Sequence, residues 1–151
     1  MNEILSFLGI QLSETLLLMR KFLSNEFESQ KIGMRFEDWI QLFPLMEKES
    51  TNQKSLSDRL GKDKTTISRL VDGWVKKGWV KRTQNKEDKR IVFLKFTTKG
   101  KSIWEKGIPV VRGADEVFKR NLSVENEKEL FLLLFKIQSG VQFSETKNVL
   151  S

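Results

Sequence analysis

The 151-residue chain contains no cysteine and no histidine. Without cysteine there is no disulfide framework, thiolate nucleophile, thiol redox switch or sulfur-ligated zinc. Without histidine neither Ser-His-Asp nor Cys-His machinery can be assembled, and a transition-metal site would need carboxylates alone. A catalyst built from Asp, Glu, Lys and Ser would lack the best acid–base group at neutral pH, so an enzyme is the weaker expectation. Long hydrophobic runs are missing as well. The apolar stretch over 1–19 is interrupted by Glu3 and Glu14 and has no basic region before it. That fits neither a signal peptide nor a bilayer-spanning helix of about 20 apolar residues. A cytoplasmic protein with no membrane partner is expected. Gly100-Lys101-Ser102 ends like a phosphate-binding loop, but the place of the required earlier glycine holds Lys95. No nucleotide, metal or other cofactor is expected.

Positive charge is abundant and unevenly placed. The chain carries 27 Lys and Arg against 20 Asp and Glu, a net of +7. Residues 52–106 hold 16 of those cations against 6 acids, a net of +10, while the remainder is −3. A basic middle between mildly acidic ends suggests a module that binds a polyanion, held by a scaffold that needs no such partner. With 38% hydrophobic and 31% charged residues, the chain is composed as a folded protein and not as a disordered tail.

Apolar periodicity outlines the elements. Leu5, Leu8, Leu12, Leu16, Met19, Phe22 and Leu23 recur at spacings of three and four, which predicts a long helix over 4–27. Leu17 and Leu18 widen its stripe beyond what a helix on one small domain needs. A second helical stretch covers 36–48, with Phe36, Trp39, Ile40, Phe43 and Met46 on one face and a kink or early end expected at Pro44. A polar loop follows over 49–52. Asn52 can cap a short helix closed by Gly61, and Asp63 can cap another over 64–77, closed by Gly78. Two such helices joined by Gly61-Lys62-Asp63 form a helix-turn-helix. The period then changes to two. Residues 79–83 and 91–96 read as strands around an entirely polar tip at 84–90, a hairpin with a protruding charged end. Thr98 caps a further helix, expected to be kinked or interrupted by Gly107, Pro109 and Gly113. Ser123 caps the last, built on the apolar run 130–137, with a tail expected to fray from Gly140.

Between Leu56 and Gly100 these features follow one another in a recognisable order. Leu56-Ser57-Asp58-Arg59-Leu60-Gly61 leads through Asp63 into Thr65-Thr66-Ile67-Ser68-Arg69-Leu70-Val71-Asp72; Lys77-Gly78-Trp79-Val80 follows. Arg82, Asp88 and Arg90 then sit at the spacing of an Arg…Asp-x-Arg signature, and Thr97-Thr98-Lys99-Gly100 closes the stretch. This succession resembles the MarR family of bacterial transcriptional regulators. The resemblance implies a mainly α fold with a small β-hairpin wing, a winged helix-turn-helix flanked by N- and C-terminal dimerisation helices. On that basis 1–33 is the N-terminal dimerisation helix, 34–106 the DNA-binding lobe and 107–151 the C-terminal helical dimerisation region. It also implies a homodimeric repressor of near-palindromic operators, released by a small aromatic or apolar effector. Two departures stand out. Gly73 takes the place of a usual arginine, removing a phosphate contact and weakening the helix by roughly 1 kcal/mol relative to alanine. Trp74 and Trp79 stand where leucine is common.

The physics of the residues points the same way. Thr65, Thr66 and Ser68 place short polar groups near a helix N-terminus, where base edges in a major groove are within reach; Arg69 is long enough for a guanine or a phosphate. Lys64 lies beside that same N-terminus, which favours phosphate. Thr65 and Thr66 also have a plainer use, extending the Asp63 cap. Arg90 has the reach for a minor groove, with Lys86 and Lys89 on the backbone beside it. The family resemblance gives Asp88 the task of bracing the wing by pairing with Arg82. Met19, Phe36, Trp39 and Phe43 either line an effector pocket or form ordinary core. The main rival to DNA binding is a winged-helix module that docks a protein and makes little contact with DNA.

Overall fold

A computed structural model describes residues 3–48 and 51–149. The polar loop expected over 49–52 therefore lies outside the described residues at 49 and 50. After a 3-10 turn at Glu3–Ser6, the chain forms α1 (Leu8–Ser29), α2 (Phe36–Gln41), α3 (Phe43–Glu47) and a short strand β1 (Thr51–Asn52). Then come α4 (Gln53–Leu60), α5 (Lys64–Lys76), β2 (Val80–Gln84), β3 (Val92–Phe96), α6 (Thr98–Lys119) and α7 (Val124–Val149). Two compact units divide the chain, 1–112 and 113–151, and α6 runs from one into the other.

In the first unit the break between α2 and α3 falls at Leu42, and Pro44 occupies the first turn of α3, where its missing N–H costs nothing. The sheet is antiparallel in the order β1-β3-β2, with Thr51 opposite Leu94 and Arg82 opposite Leu94 from the other side. β1 was not legible as a strand. It is only two residues long and pairs with a partner some forty residues away, so no local alternation marks it.

The core is aromatic. Trp39 and Trp104 stack at 4.6 Å between centroids, 5° from parallel. Each indole donates its N–H to the other's backbone carbonyl, Trp39 Nε1 to Trp104 O at 2.8 Å and Trp104 Nε1 to Trp39 O at 2.9 Å. Phe27 meets Trp39 edge-on at 5.8 Å. The expected interruption of α6 does not occur. The helix continues through Pro109, and two of its glycines, Gly100 and Gly107, serve close packing. A Cβ on Gly107 would lie 2.7 Å from Trp39 Cδ1, and one on Gly100 would lie 2.6 Å from the Trp79 backbone carbon. Both separations are shorter than real side chains tolerate, so only glycine lets α6 approach Trp39 and Trp79.

A buried carboxylate ties α2 to the end of α5. Asp38 is 3% exposed, and its Oδ1 accepts from Trp74 Nε1 at 3.0 Å. Its Oδ2 accepts from Arg35 Nε at 3.0 Å and Lys77 Nζ at 3.4 Å. Burial pushes this carboxyl upward, but the hydrogen bonds from Arg35 and Trp74 and the charges of Lys77 and Arg35 outweigh it, so it titrates below the usual range. Its contribution to stability is complete above the unfolded-state value of about 3.9 and is lost as pH falls through the depressed native value. Asp38→Asn is expected to cost about 1.5–3 kcal/mol at pH 7, the value of hydrogen bonds to a charged group. The gap between variant and wild type should close as urea titrations are moved from pH 7 toward pH 2.

In the second unit Ser123 Oγ accepts from Asn126 N at 3.1 Å, while Asn126 Oδ1 accepts from Ser123 N at 3.2 Å, a reciprocal cap for α7. Lys119 Nζ reaches both Asp115 and Glu127 at 2.6 Å, and those two hydrogen bonds raise its pKa above the ordinary lysine value. The expected fraying from Gly140 is not seen, since α7 runs to Val149.

Candidate nucleic-acid interface

Short polar side chains fix the two helices of the central motif. Asn52 Oδ1 accepts from Ser55 N at 2.7 Å at the start of α4, and Gly61 closes the helix at φ +59°. Lys62 N then reaches back to Ser57 O at 3.2 Å. Asp63 opens α5 by accepting from Thr66 N at 2.9 Å and from the Thr66 hydroxyl at 2.6 Å. Those hydrogen bonds from Thr66 hold the Asp63 carboxyl below its ordinary value. Gly78, at φ +73°, turns the chain into β2. Ile67, Val71 and Trp74 form the buried face of α5.

The opposite face of α5 carries the expected contact residues. Lys64, Thr65 and Arg69 are exposed and Ser68 is half-buried. Thr65 and Arg69, one turn apart, share a stripe. Thr66 differs from the reading that gave it a base or a phosphate, because its hydroxyl proton is held by Asp63. The plainer capping role is the one its geometry shows.

At the wing, Lys86, Lys89 and Arg90 are exposed. Asn85 Oδ1 accepts from Glu87 N at 2.8 Å and Asp88 Oδ1 from Arg90 N at 2.9 Å, turning the tip so that the cations project from it. The expected Arg82–Asp88 pair is replaced by two separate braces. Asp88 holds the tip, while Arg82 Nη2 reaches Asp72 Oδ1 on α5 at 2.6 Å. Asp88 is already bonded within its own turn, and the approach of β2 to α5 puts Asp72 within reach of Arg82. A concavity of about 630 Å³ lies between α4, α5 and the base of the wing. Lys54, Lys64 and Arg90 line it above Ile67, Ile91 and Val92, with no acid among its walls. Three cations around one hollow give it a positive lining.

The aromatic residues suggested for an effector pocket are mostly core. Phe36 and Trp39 are buried in the stack around Trp104, with Phe43 at its edge, and Met19 is half-buried on α1. Of the four, Phe36 alone lines the open cavity of about 710 Å³ beside the α1–α2 connection. The sequence alone does not mark the roles of Asp38 and Asp72. Both act on partners that only the fold brings near.

Gly73 lies inside α5, and a Cβ there would meet nothing within 4 Å. Gly73→Ala is therefore expected to stabilise the chain by about 1 kcal/mol through helix propensity and reduced unfolded-state freedom. Thermal melts should show a rise of about 2–4 °C.

Paired helices with a capped recognition segment and a cationic two-stranded finger define a winged helix-turn-helix. Among known proteins, residues 39–92 match the MarR family. The transcriptional regulator HosA of Escherichia coli O157:H7 is 30% identical over 92 residues, which cover 61% of this chain and 67% of that protein. The regulator BilQ of Clostridium symbiosum is 27% identical over 110 residues, covering 73% and 76%. A crystal structure of a MarR mutant from E. coli complexed with operator DNA superposes with a TM-score of 0.80 at 26% identity, over 90% of this chain and 96% of that one. The chain belongs to the MarR family, and its fold is that of the family's transcriptional regulators. Among the described residues no helix is long and apolar enough to cross a membrane.

Proposed function

We propose that the protein is a cytoplasmic repressor that binds near-palindromic double-stranded DNA as a homodimer and releases it when a small molecule binds. The observation that carries the DNA reading is the exposure of Lys64, Thr65, Arg69, Lys86, Lys89 and Arg90 on the recognition helix and the wing tip. Arg69 and Arg90 have no side-chain ion pair among those described in the structure, and each is long enough to reach a base edge or a phosphate. The operator-bound relative supports the same use of the fold.

Dimerisation is supported by two apolar surfaces left open within the protomer. On α1 Leu16, Leu17 and Leu18 are half to two-thirds exposed, and on α7 Phe131, Leu132 and Phe135 are exposed to similar degrees. Surfaces of this kind are covered in oligomers, most often in twofold dimers. The two recognition helices then meet major-groove faces one turn apart, about 34 Å. Residues 1–33 and 107–151 serve assembly in this reading, and 34–106 serve DNA.

For effector release, the family resemblance supplies the idea and the 710 Å³ cavity beside Phe36 and Lys77 supplies room of the size that ligands use. An aromatic or apolar acid seated there would favour one spacing of the DNA-binding lobes, provided its affinity for the two forms differs. No catalytic role is proposed.

The test is binding to duplex DNA selected by the protein from a randomised pool, measured from 50 to 200 mM salt. Phosphate contacts predict a steep fall in affinity, of order 10³-fold for a dimer making about six of them. Affinity that ignores salt would favour the protein-docking rival, a winged helix with little use for DNA. Sedimentation showing a monomer at micromolar concentration would remove the dimer.

A further inference from the structure

The helix that faces DNA in this reading carries one acid among its basic residues. Within α5, Lys64, Arg69 and Lys76 are accompanied by Asp72, whose side chain is 61% exposed. On a surface meant for phosphate, a carboxylate repels the partner. Its hydrogen bond shows what it does there. Asp72 Oδ1 accepts from Arg82 Nη2 at 2.6 Å, joining the third turn of the recognition helix to the first strand of the wing.

The wing has little else on that strand to hold it. Val80 is 2% exposed and anchors the start of β2, but Lys81, Arg82, Thr83 and Gln84 are all exposed. Side chains alternate across a strand, so Arg82 occupies the next position on the face that Val80 presents to the core. Its cross-strand neighbour Leu94 is fully buried. Where an apolar side chain would continue the anchoring, the chain has a guanidinium that reaches sideways to α5. Further attachment comes from β3, which pairs with β1 as well as β2.

We propose that Asp72 and Arg82 are a positioning pair that fixes the wing relative to the recognition helix, so that Arg69 and Arg90 engage their grooves together. Neither residue needs to touch a base for the pair to matter. An exposed ion pair contributes little to global stability. Its effect falls on the orientation of a two-stranded finger, and hence on the fit to one particular duplex. The proposal rests on the DNA-binding reading above and names the device that sets its specificity.

Asp72→Asn separates this from plain electrostatics, because the two predict opposite signs. Removing an acid from a phosphate-facing surface should tighten binding to any duplex if charge alone matters. Loss of a positioning pair should instead weaken binding to the selected duplex by about five- to tenfold while binding to a random duplex stays equal or tightens. Fluorescence anisotropy would be run with the full-length wild type, Asp72→Asn, Arg82→Gln and the exchanged pair Asp72→Arg with Arg82→Asp. Melting temperatures are expected to stay within about 3 °C of wild type. Recovery by the exchanged pair to within about threefold of wild type on the selected duplex supports the proposal, as coupled residues behave in a double-mutant cycle. An Asp72→Asn chain that binds the selected duplex as tightly as wild type, or more tightly, overturns it and leaves DNA binding intact. A wild-type chain that selects no duplex overturns the DNA reading first and the pair with it.

Discussion

Trp39→Ala should lower the free energy of unfolding by about 3–5 kcal/mol, the range for removing a large buried aromatic. Three losses coincide at this residue. The indole is 6% exposed and stacks on Trp104, its N–H donates to the Trp104 carbonyl, and its edge receives Phe27. Trp39→Phe should cost less, since a ring remains while the donor is lost. Gly107→Ala approaches the same spot from α6, with its new Cβ 2.9 Å from Phe27 Cζ and closer still to the Trp39 indole. Overpacking of that kind costs about 1–3 kcal/mol. The two substitutions should compensate each other. Once the indole is gone only the contact with Phe27 remains, and that ring can shift into the vacated space, so the double variant should be no less stable than Trp39→Ala alone. Urea midpoints of the four proteins check this, and strict additivity would show that Gly107 does not serve the Trp39 site.

The same pair of residues shows why some elements were legible in advance and others were not. Helix limits governed by one or two neighbouring side chains were readable: Asn52, Asp63 and Ser123 cap helices, and Gly61 and Gly78 take positive φ. Their physics is contained in four or five consecutive residues. The hairpin followed from its period and its polar tip. The interruption expected in α6 is absent because Gly107, Pro109 and Gly113 weaken a helix only locally, whereas the packing of Trp39 onto Gly107 and Trp79 onto Gly100 holds it across the chain. α1 begins at Leu8 and not at residue 4, and much of its apolar stripe lies outside the protomer core.

The site divides along similar lines. Exposure of Lys64, Arg69 and the wing cations followed from their places on capped helices and a polar turn. The partner of Arg82 did not. Asp88 is six residues from Arg82 in sequence and Asp72 is ten, and only the approach of β2 to α5 decides between them. The aromatic residues offered as a pocket are a related case, since periodicity tells which face of a helix is apolar and not whether a cavity or Trp104 fills the space against it.

Arg69→Ala and Arg90→Ala should each weaken binding to the selected duplex by about tenfold or more, and the double variant by about a hundredfold. Neither guanidinium is engaged in an ion pair among those described, and both residues are exposed. Truncation therefore removes a contact to DNA and little else, and melting temperatures should stay near wild type. The two arginines should be distinguishable by what they read. If Arg90 lies on the backbone in a narrow minor groove, its loss weakens selected and random duplexes alike and lowers the salt slope by about one unit per site. If Arg69 reads a guanine in the major groove, its loss falls mainly on the selected duplex and relaxes the preference at one base position in each half-site. Anisotropy titrations on both duplexes at several salt concentrations measure each of these quantities. Unchanged affinity in both single variants would move the DNA-binding surface away from α5 and the wing.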